Sequence, residues 1–189
     1  DAVVTEFSLP KNFPDIVLEQ VKEIPTVVSA SLIKERRDLR KETIITIDPE
    51  DSKDFDDALS LDILENGNFL LGVHIADVSH YIPENSPLDK EAALRGNSTY
   101  LVDRVIPMLP EKLSNEVCSL KPNRVRLTFS VNMEFTPTGV LKNYEIYESV
   151  IKNKRRYAYS EVLKIIETGE GDNAELILNL HKLARILRA

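Results

Sequence analysis

Residues 46–58 read Thr-Ile-Asp-Pro-Glu-Asp-Ser-Lys-Asp-Phe-Asp-Asp-Ala, five aspartates and one glutamate with Lys53 as the only basic residue among them. Carboxylates brought this close repel one another, so their pKa values rise and the fold is destabilised unless a cation sits between them. An all-oxygen donor set suits Mg²⁺ or Mn²⁺. A calcium loop of the EF-hand type does not fit, because Lys53 stands where that loop has glycine. Spacing alone leaves two readings open, a metal site and a solvated acidic loop.

The elements that must position these acids flank them. The apolar run 43–47 reads as a buried strand and 58–64 as another, so the acidic stretch connects two core strands. Glu65-Asn66-Gly67-Asn68 carries the Asn-Gly hairpin signal, which predicts a type I′ turn with positive φ at both central residues and makes 58–64 and 69–75 antiparallel neighbours. Leu127, Phe129, Val131, Met133 and Phe135 alternate, Pro137-Thr138-Gly139 turns, and 140–149 returns, which predicts a second hairpin. The expected fold class is therefore α+β, a largely antiparallel mixed β-sheet with packed helices.

Helices are predicted over 15–23, with Ile16, Val17, Gln20 and Val21 on one face, and near 87–95. A third starts at a Ser160 cap and runs to about Glu167. Leu176, Ile177, Leu180, Leu183, Ala184 and Leu187 then form a 3.6-residue stripe that reaches Ala189 without a cap and reads as facing helices beyond it. The remainder of 76–125 lacks periodicity, and so long a loop is usually functional. His74 and His80 flank Asp77, but alternation places His74 inside a strand as a hydrogen-bonded residue, and a hard oxygen cluster needs no imidazole. Cys118 has no recognisable His and Asn partners for nucleophilic chemistry.

The acidic run resembles the signature of the RNB family of exoribonucleases. Val-His-Ile-Ala-Asp-Val-Ser-His-Tyr at 73–81 and Pro-Met-Leu-Pro-Glu-Lys-Leu-Ser-Asn at 107–115, continuing through Cys118-Ser119-Leu120, agree with it in order and spacing. The resemblance covers about residues 36–189. It implies hydrolysis of single-stranded RNA from the 3′ end with release of nucleoside 5′-monophosphates, at a two-metal Mg²⁺ centre for which Mn²⁺ can substitute. Position by position it implies Asp48, Asp54 and Asp57 as metal-holding aspartates and Asp56 as the residue most critical for cleavage, holding the second metal and its water. Tyr100 matches an aromatic that stacks near the end of the bound strand, a contact that tolerates any base. Residues 1–42 would be a lead-in segment after RNA-binding modules that are absent here, and 43–189 the first half of the RNB catalytic domain. The alternative is a metal- or RNA-binding fragment without turnover, because the later half of that domain supplies further groups.

A net charge of −7 is unfavourable for binding phosphates, but the basic residues cluster at 34–41, 121–126 and 152–156, each of which reads first as a solvated face. With 189 residues, 42% hydrophobic and 29% charged, the chain can bury a proper core. One cysteine excludes a disulfide framework, no stretch is apolar enough to span a membrane, and the start lacks a signal peptide's basic residues, so a cytoplasmic protein is expected. No feature implies an obligate protein partner.

Overall fold

The computed structural model describes residues 2–102 and 104–189. In chain order its elements are helices α1 (Ala2–Glu6), α2 (Asp15–Glu23) and α3 (Ala30–Glu35), then strands β1 (Arg37–Asp38), β2 (Ile45–Asp48), β3 (Asp57–Ile63) and β4 (Phe69–Ala76). Helix α4 (Pro87–Arg95), short strands β5 (Thr99–Tyr100) and β6 (Val105–Ile106) and a π-helical stretch, Lys112–Val117, follow. Strands β7 (Val125–Phe135), β8 (Leu141–Lys152) and β9 (Arg155–Ala158) lead to helices α5 (Tyr159–Thr168) and α6 (Ala174–Arg188). Two compact units interleave along the chain, 1–27 with 77–118 and 28–76 with 119–189. The segment 1–42 therefore contributes to both. Among the described residues, no helix is long and apolar enough to cross a membrane.

In the second unit seven strands pair in the order β1-β8-β7-β4-β3-β2-β9. Every pair is antiparallel except β1 with β8 and β2 with β9, which is the α+β, largely antiparallel mixed sheet expected. The β3–β4 hairpin forms as predicted, with Ile63 opposite Phe69, but by a different turn. Only Gly67 has positive φ; its N–H closes on the Leu64 carbonyl at 2.8 Å, and the Asn66 side chain instead accepts the Asn68 N–H at 2.9 Å. The loop has three residues and needs one left-handed position, not two.

The two faces of this sheet differ. On one, Ile45 and Tyr157 pack against Ile165 of α5 and Ile177 of α6, while Leu61, Phe69 and Phe135 pack against Leu183 of α6. The first turns of the α6 stripe, Leu176 to Leu183, pack on their own sheet, which an expectation of helices beyond the stripe did not foresee; Ala184 and Leu187 stay exposed and, with Leu59, Leu71 and Val162, line an open apolar groove. The other face carries small polar residues whose side chains are joined. The buried His74 ring contacts Ser60 Oγ through Nε2 (3.1 Å) and Ser130 Oγ through Nδ1 (2.7 Å), and Ser149 Oγ continues the chain to Ser130 and Thr128. Gly72 makes the room, since a Cβ there would lie 2.3 Å from Ser60 Oγ. His74 is therefore the satisfied strand residue its alternation predicted. Ser160, by contrast, does not cap α5. The cap position is Ala158, whose N–H donates to Glu161 Oε2 at 2.8 Å, the reciprocal half of a capping box.

In the first unit α2 buries Val17 and Val21, while Ile16 is exposed instead of sharing that face. Gln20 Oε1 accepts the Leu88 N–H at the start of α4, whose Ser86 cap and Gly96 terminus obey the usual rules. Arg95, its side chain only 2% exposed, donates to the carbonyls of Pro10, Asn12 and Pro107 and stacks on Phe13. Lys112 Nζ donates to the carbonyls of Val21 and Lys22, where cations suit the end of α2. The stretch that looked aperiodic is therefore held by short strands, a π-helical turn and side-chain bonds to backbone.

Burial lowers the His74 pKa to about 4. The unfolded chain then binds the extra proton first, so this residue contributes about 3 kcal/mol that is present above pH 6.5 and lost as pH falls through 4. NMR titration of the ring nitrogens is expected to show His74 neutral down to about pH 5; an inflection above pH 6 would contradict the buried hydrogen-bonded assignment.

Candidate metal centre

Asp48 ends β2, Asp57 begins β3, and Asp54 and Asp56 lie in the connection. Asp48 is 9% exposed, and its Oδ2 is buried without a hydrogen-bond partner. Burial, and after it the charge of Asp57, raises its pKa to about 6; Arg156 and the Thr46 hydroxyl oppose the shift and Asp54 adds to it. Asp56 is exposed as a residue, yet its carboxyl is crowded by surrounding protein, and that desolvation, then Asp54 and Asp57, raises its pKa too. Asp57 is exposed, and Asp54 accepts a long 3.4 Å bond from Ser52 Oγ. The four aspartates are therefore coupled through their charges. Among the described residues, however, no three carboxylate, imidazole or thiol groups stand in ligating arrangement. Like charges this close spread apart.

The backbone between β2 and β3 is fixed at several points. Pro49 C=O accepts from Arg156 Nη2 of β9 and from the Ser52 N–H. Glu50 Oε1 accepts from Ser160 Oγ at 2.6 Å, which turns this acid toward α5 and away from the aspartates. The buried hydroxyl of Ser119 donates to Lys53 C=O (2.9 Å) and accepts the Phe55 N–H (3.1 Å), while the Leu120 N–H reaches Phe55 C=O (2.8 Å). Asp56 C=O accepts from the Ala76 N–H at 2.9 Å. Asn153 completes the frame, donating to Thr46 Oγ1 on β2 and to Leu120 C=O. The acidic side chains are therefore carried on a backbone that is tied down on both sides of Lys53.

Other candidates resolve differently. Asp77 Oδ1 accepts from Ser79 Oγ and the His80 N–H, a local turn rather than a ligand set. Tyr100 belongs to the first unit, on β5 opposite Val105, with 69% of its surface exposed. Cys118 is buried. Several residues of the basic clusters are not solvated: Arg126 is 8% exposed and donates to Ser119 C=O, and the Arg36 side chain is 5% exposed. Sequence reading missed Ser119, Asn153 and Arg156 as supports of the acidic loop. Ser119 lay within a quoted motif, but nothing in its type announced a partner at Lys53.

A family model described as the RNB domain matches residues 36–189. The chain belongs to the RNB family. Ribonuclease R of Thermotoga maritima is 48% identical over 99% of this chain and 27% of its own length. Solved structures of Mycoplasma genitalium RNase R with double-stranded RNA and with ribose-methylated single-stranded RNA each superpose with a TM-score of 0.88 at 33% identity. They cover 98% of this chain and, respectively, 33% and 29% of theirs. The chain spans about a quarter of the length of the curated relatives it matches. The acidic loop lies within the matched RNB residues, and its donor chemistry fits a hard divalent cation: oxygens only, one of them buried and without a partner.

Replacing Asp48 by Asn tests the electrostatics without RNA. The folded pKa of Asp48 is raised, so its charge destabilises the metal-free fold above pH 6 and the penalty fades as pH falls toward 4. Asp48→Asn is expected to stabilise the metal-free chain at pH 7.5 by on the order of 2 kcal/mol, with little change at pH 4, and to lose any melting-temperature gain from Mg²⁺. No stabilisation at pH 7.5 in denaturant melts would contradict the picture of a repelled, buried carboxylate.

Proposed function

We propose that this chain carries the acidic half of the catalytic centre of a ribonuclease R-type exoribonuclease that hydrolyses single-stranded RNA from its 3′ end. Membership of the RNB family and three motifs in register support the reading; the observation that carries it is the buried, unpartnered Asp48 Oδ2 beside three further aspartates. Asp48, Asp54, Asp56 and Asp57 would hold a pair of divalent cations, Mg²⁺ or Mn²⁺. When bound, such ions neutralise charge on the scissile phosphate and make a bound water nucleophilic at neutral pH.

The chain's own residues do the rest. Asp56, whose carboxyl is desolvated by the protein around it, orients the attacking water, and the anchored backbone on either side keeps that carboxylate in place during the reaction. Attack at phosphorus breaks the bond to the 3′ oxygen of the shortened strand, so the terminal residue leaves as a 5′-monophosphate and the strand regains a 3′ hydroxyl. Tyr100, exposed on β5, stacks on a base near the 3′ end and holds it without reading its identity.

A second reading, a metal- or RNA-binding module without turnover, is favoured by one observation, that among the described residues the acids do not stand in ligating arrangement. Labelled single-stranded RNA incubated with this chain, and with a protein carrying the complete RNB domain, separates the two. The complete protein is expected to shorten RNA from the 3′ end in Mg²⁺ and not in EDTA. Asp56→Asn in it should slow cleavage at least about a hundredfold while RNA affinity changes little, because a transition-state interaction is lost and few ground-state ones. Full-rate cleavage by the Asn variant would remove Asp56 from the mechanism, and robust degradation by this chain alone would retire the second reading.

A further inference from the structure

Arg155 and Arg156 are adjacent on β9 and do different things. Arg155 pairs with Glu161 and Asp172 and stacks on Tyr157, an arrangement ordinary for a partly exposed arginine. Arg156 sits beside Thr46 of β2 in the parallel register, two residues before the position beside Asp48. Its Nη2 donates to Pro49 C=O, its guanidinium carbon lies 5.7 Å from the centre of the Phe55 ring, and its Nε is buried without a hydrogen-bond partner. Asp48 Oδ2 is buried without a partner as well.

Two opposite charges on neighbouring strands thus each keep a buried group unsatisfied, although pairing them would remove both penalties. An arginine selected only to neutralise Asp48 would spend its donors on that carboxylate. This one donates from Nη2 to the loop backbone at Pro49 and lays its guanidinium over the Phe55 ring. Pro49 and Phe55 bracket the loop: Asp48 precedes the first, and Asp56 and Asp57 follow the second.

We infer that Arg156 is a positioning residue for the metal centre, clamping the acidic loop at Pro49 and Phe55 so that the spacing between Asp48 and the Asp56–Asp57 pair is preset while the Asp48 carboxylate stays available to a cation. The inference rests on the reading that these aspartates bind a divalent ion. It makes Arg156 an outer support of the centre, joined to the aspartates through backbone and ring, in the manner of the groups that orient metal ligands in other proteins.

Charge and positioning give opposite signs, which makes the test decisive. Removing a positive charge beside Asp48 should tighten cation binding by Coulomb attraction alone, whereas releasing the loop should weaken it. Mg²⁺ binding to the full chain is measured by isothermal titration calorimetry, and Mn²⁺ binding by electron paramagnetic resonance, for the native sequence, Arg156→Gln and Arg156→Lys. Arg156→Gln is expected to weaken binding by about tenfold or more. Arg156→Lys, which keeps the charge but lacks the planar fork, should weaken it measurably too. Binding by the Gln variant that is unchanged or tighter overturns the inference, as does a Lys variant equal to the native chain. Circular dichroism in EDTA checks folding, and where the Gln variant unfolds the Lys variant carries the test. A native chain that binds neither ion overturns the inference together with the metal reading beneath it, whereas native binding with unaffected variants overturns the inference alone.

Discussion

A carboxylate at the end of a buried strand, followed within nine residues by five more acids, is the constraint that the loop between β2 and β3 must accommodate. Asp48 could be relieved by solvent, by a salt bridge or by a hydrogen-bond donor, and its Oδ2 has no such donor. The surrounding structure tolerates the charge because it has been stiffened elsewhere. Hydrogen bonds from Arg156, Ser119, Leu120 and Ala76 reach the backbone of the connection, so the side chains spread apart while the loop backbone stays in place.

The sheet supplies the stiffness. Its apolar face packs against α5 and α6, which share buried contacts with β2 and β9, the two strands that carry Asp48 and Arg156. Its other face is stitched by hydroxyls and one imidazole across β3, β4, β7 and β8. A polar network in the middle of a sheet is costly when incomplete and specifying when satisfied, and here both nitrogens of His74 are engaged. The register of four strands is therefore pinned, and with it the height at which β3 delivers Asp57.

Most of this frame was legible in the sequence wherever an element was long enough to show its period. The β3–β4 and β7–β8 hairpins, α2 and α4 announced themselves by alternation or by caps. Two-residue strands such as β1, β5 and β6 have no period to read. The stripe on α6 told correctly which side of the helix is apolar, but periodicity does not say what covers it: its first turns lie on a sheet already in hand, while Ala184 and Leu187 stay exposed. Ser160 shows a related ambiguity: a hydroxyl before an apolar run can cap a helix or serve a neighbouring acid, and here it serves Glu50. At the site, motif order pointed to the four aspartates, while Ser119 and Asn153 act across 64 to 107 residues of chain, beyond any local pattern.

Whether the aspartates gather around a cation is settled most directly by locating one. Crystals of the chain grown with millimolar Mn²⁺ and measured at its absorption edge are expected to show an anomalous peak bonded to Asp48 and to at least one of Asp54, Asp56 and Asp57. Density that is absent there, or that lies elsewhere and leaves Asp48 Oδ2 without a partner, would contradict the reading of this loop as a metal centre.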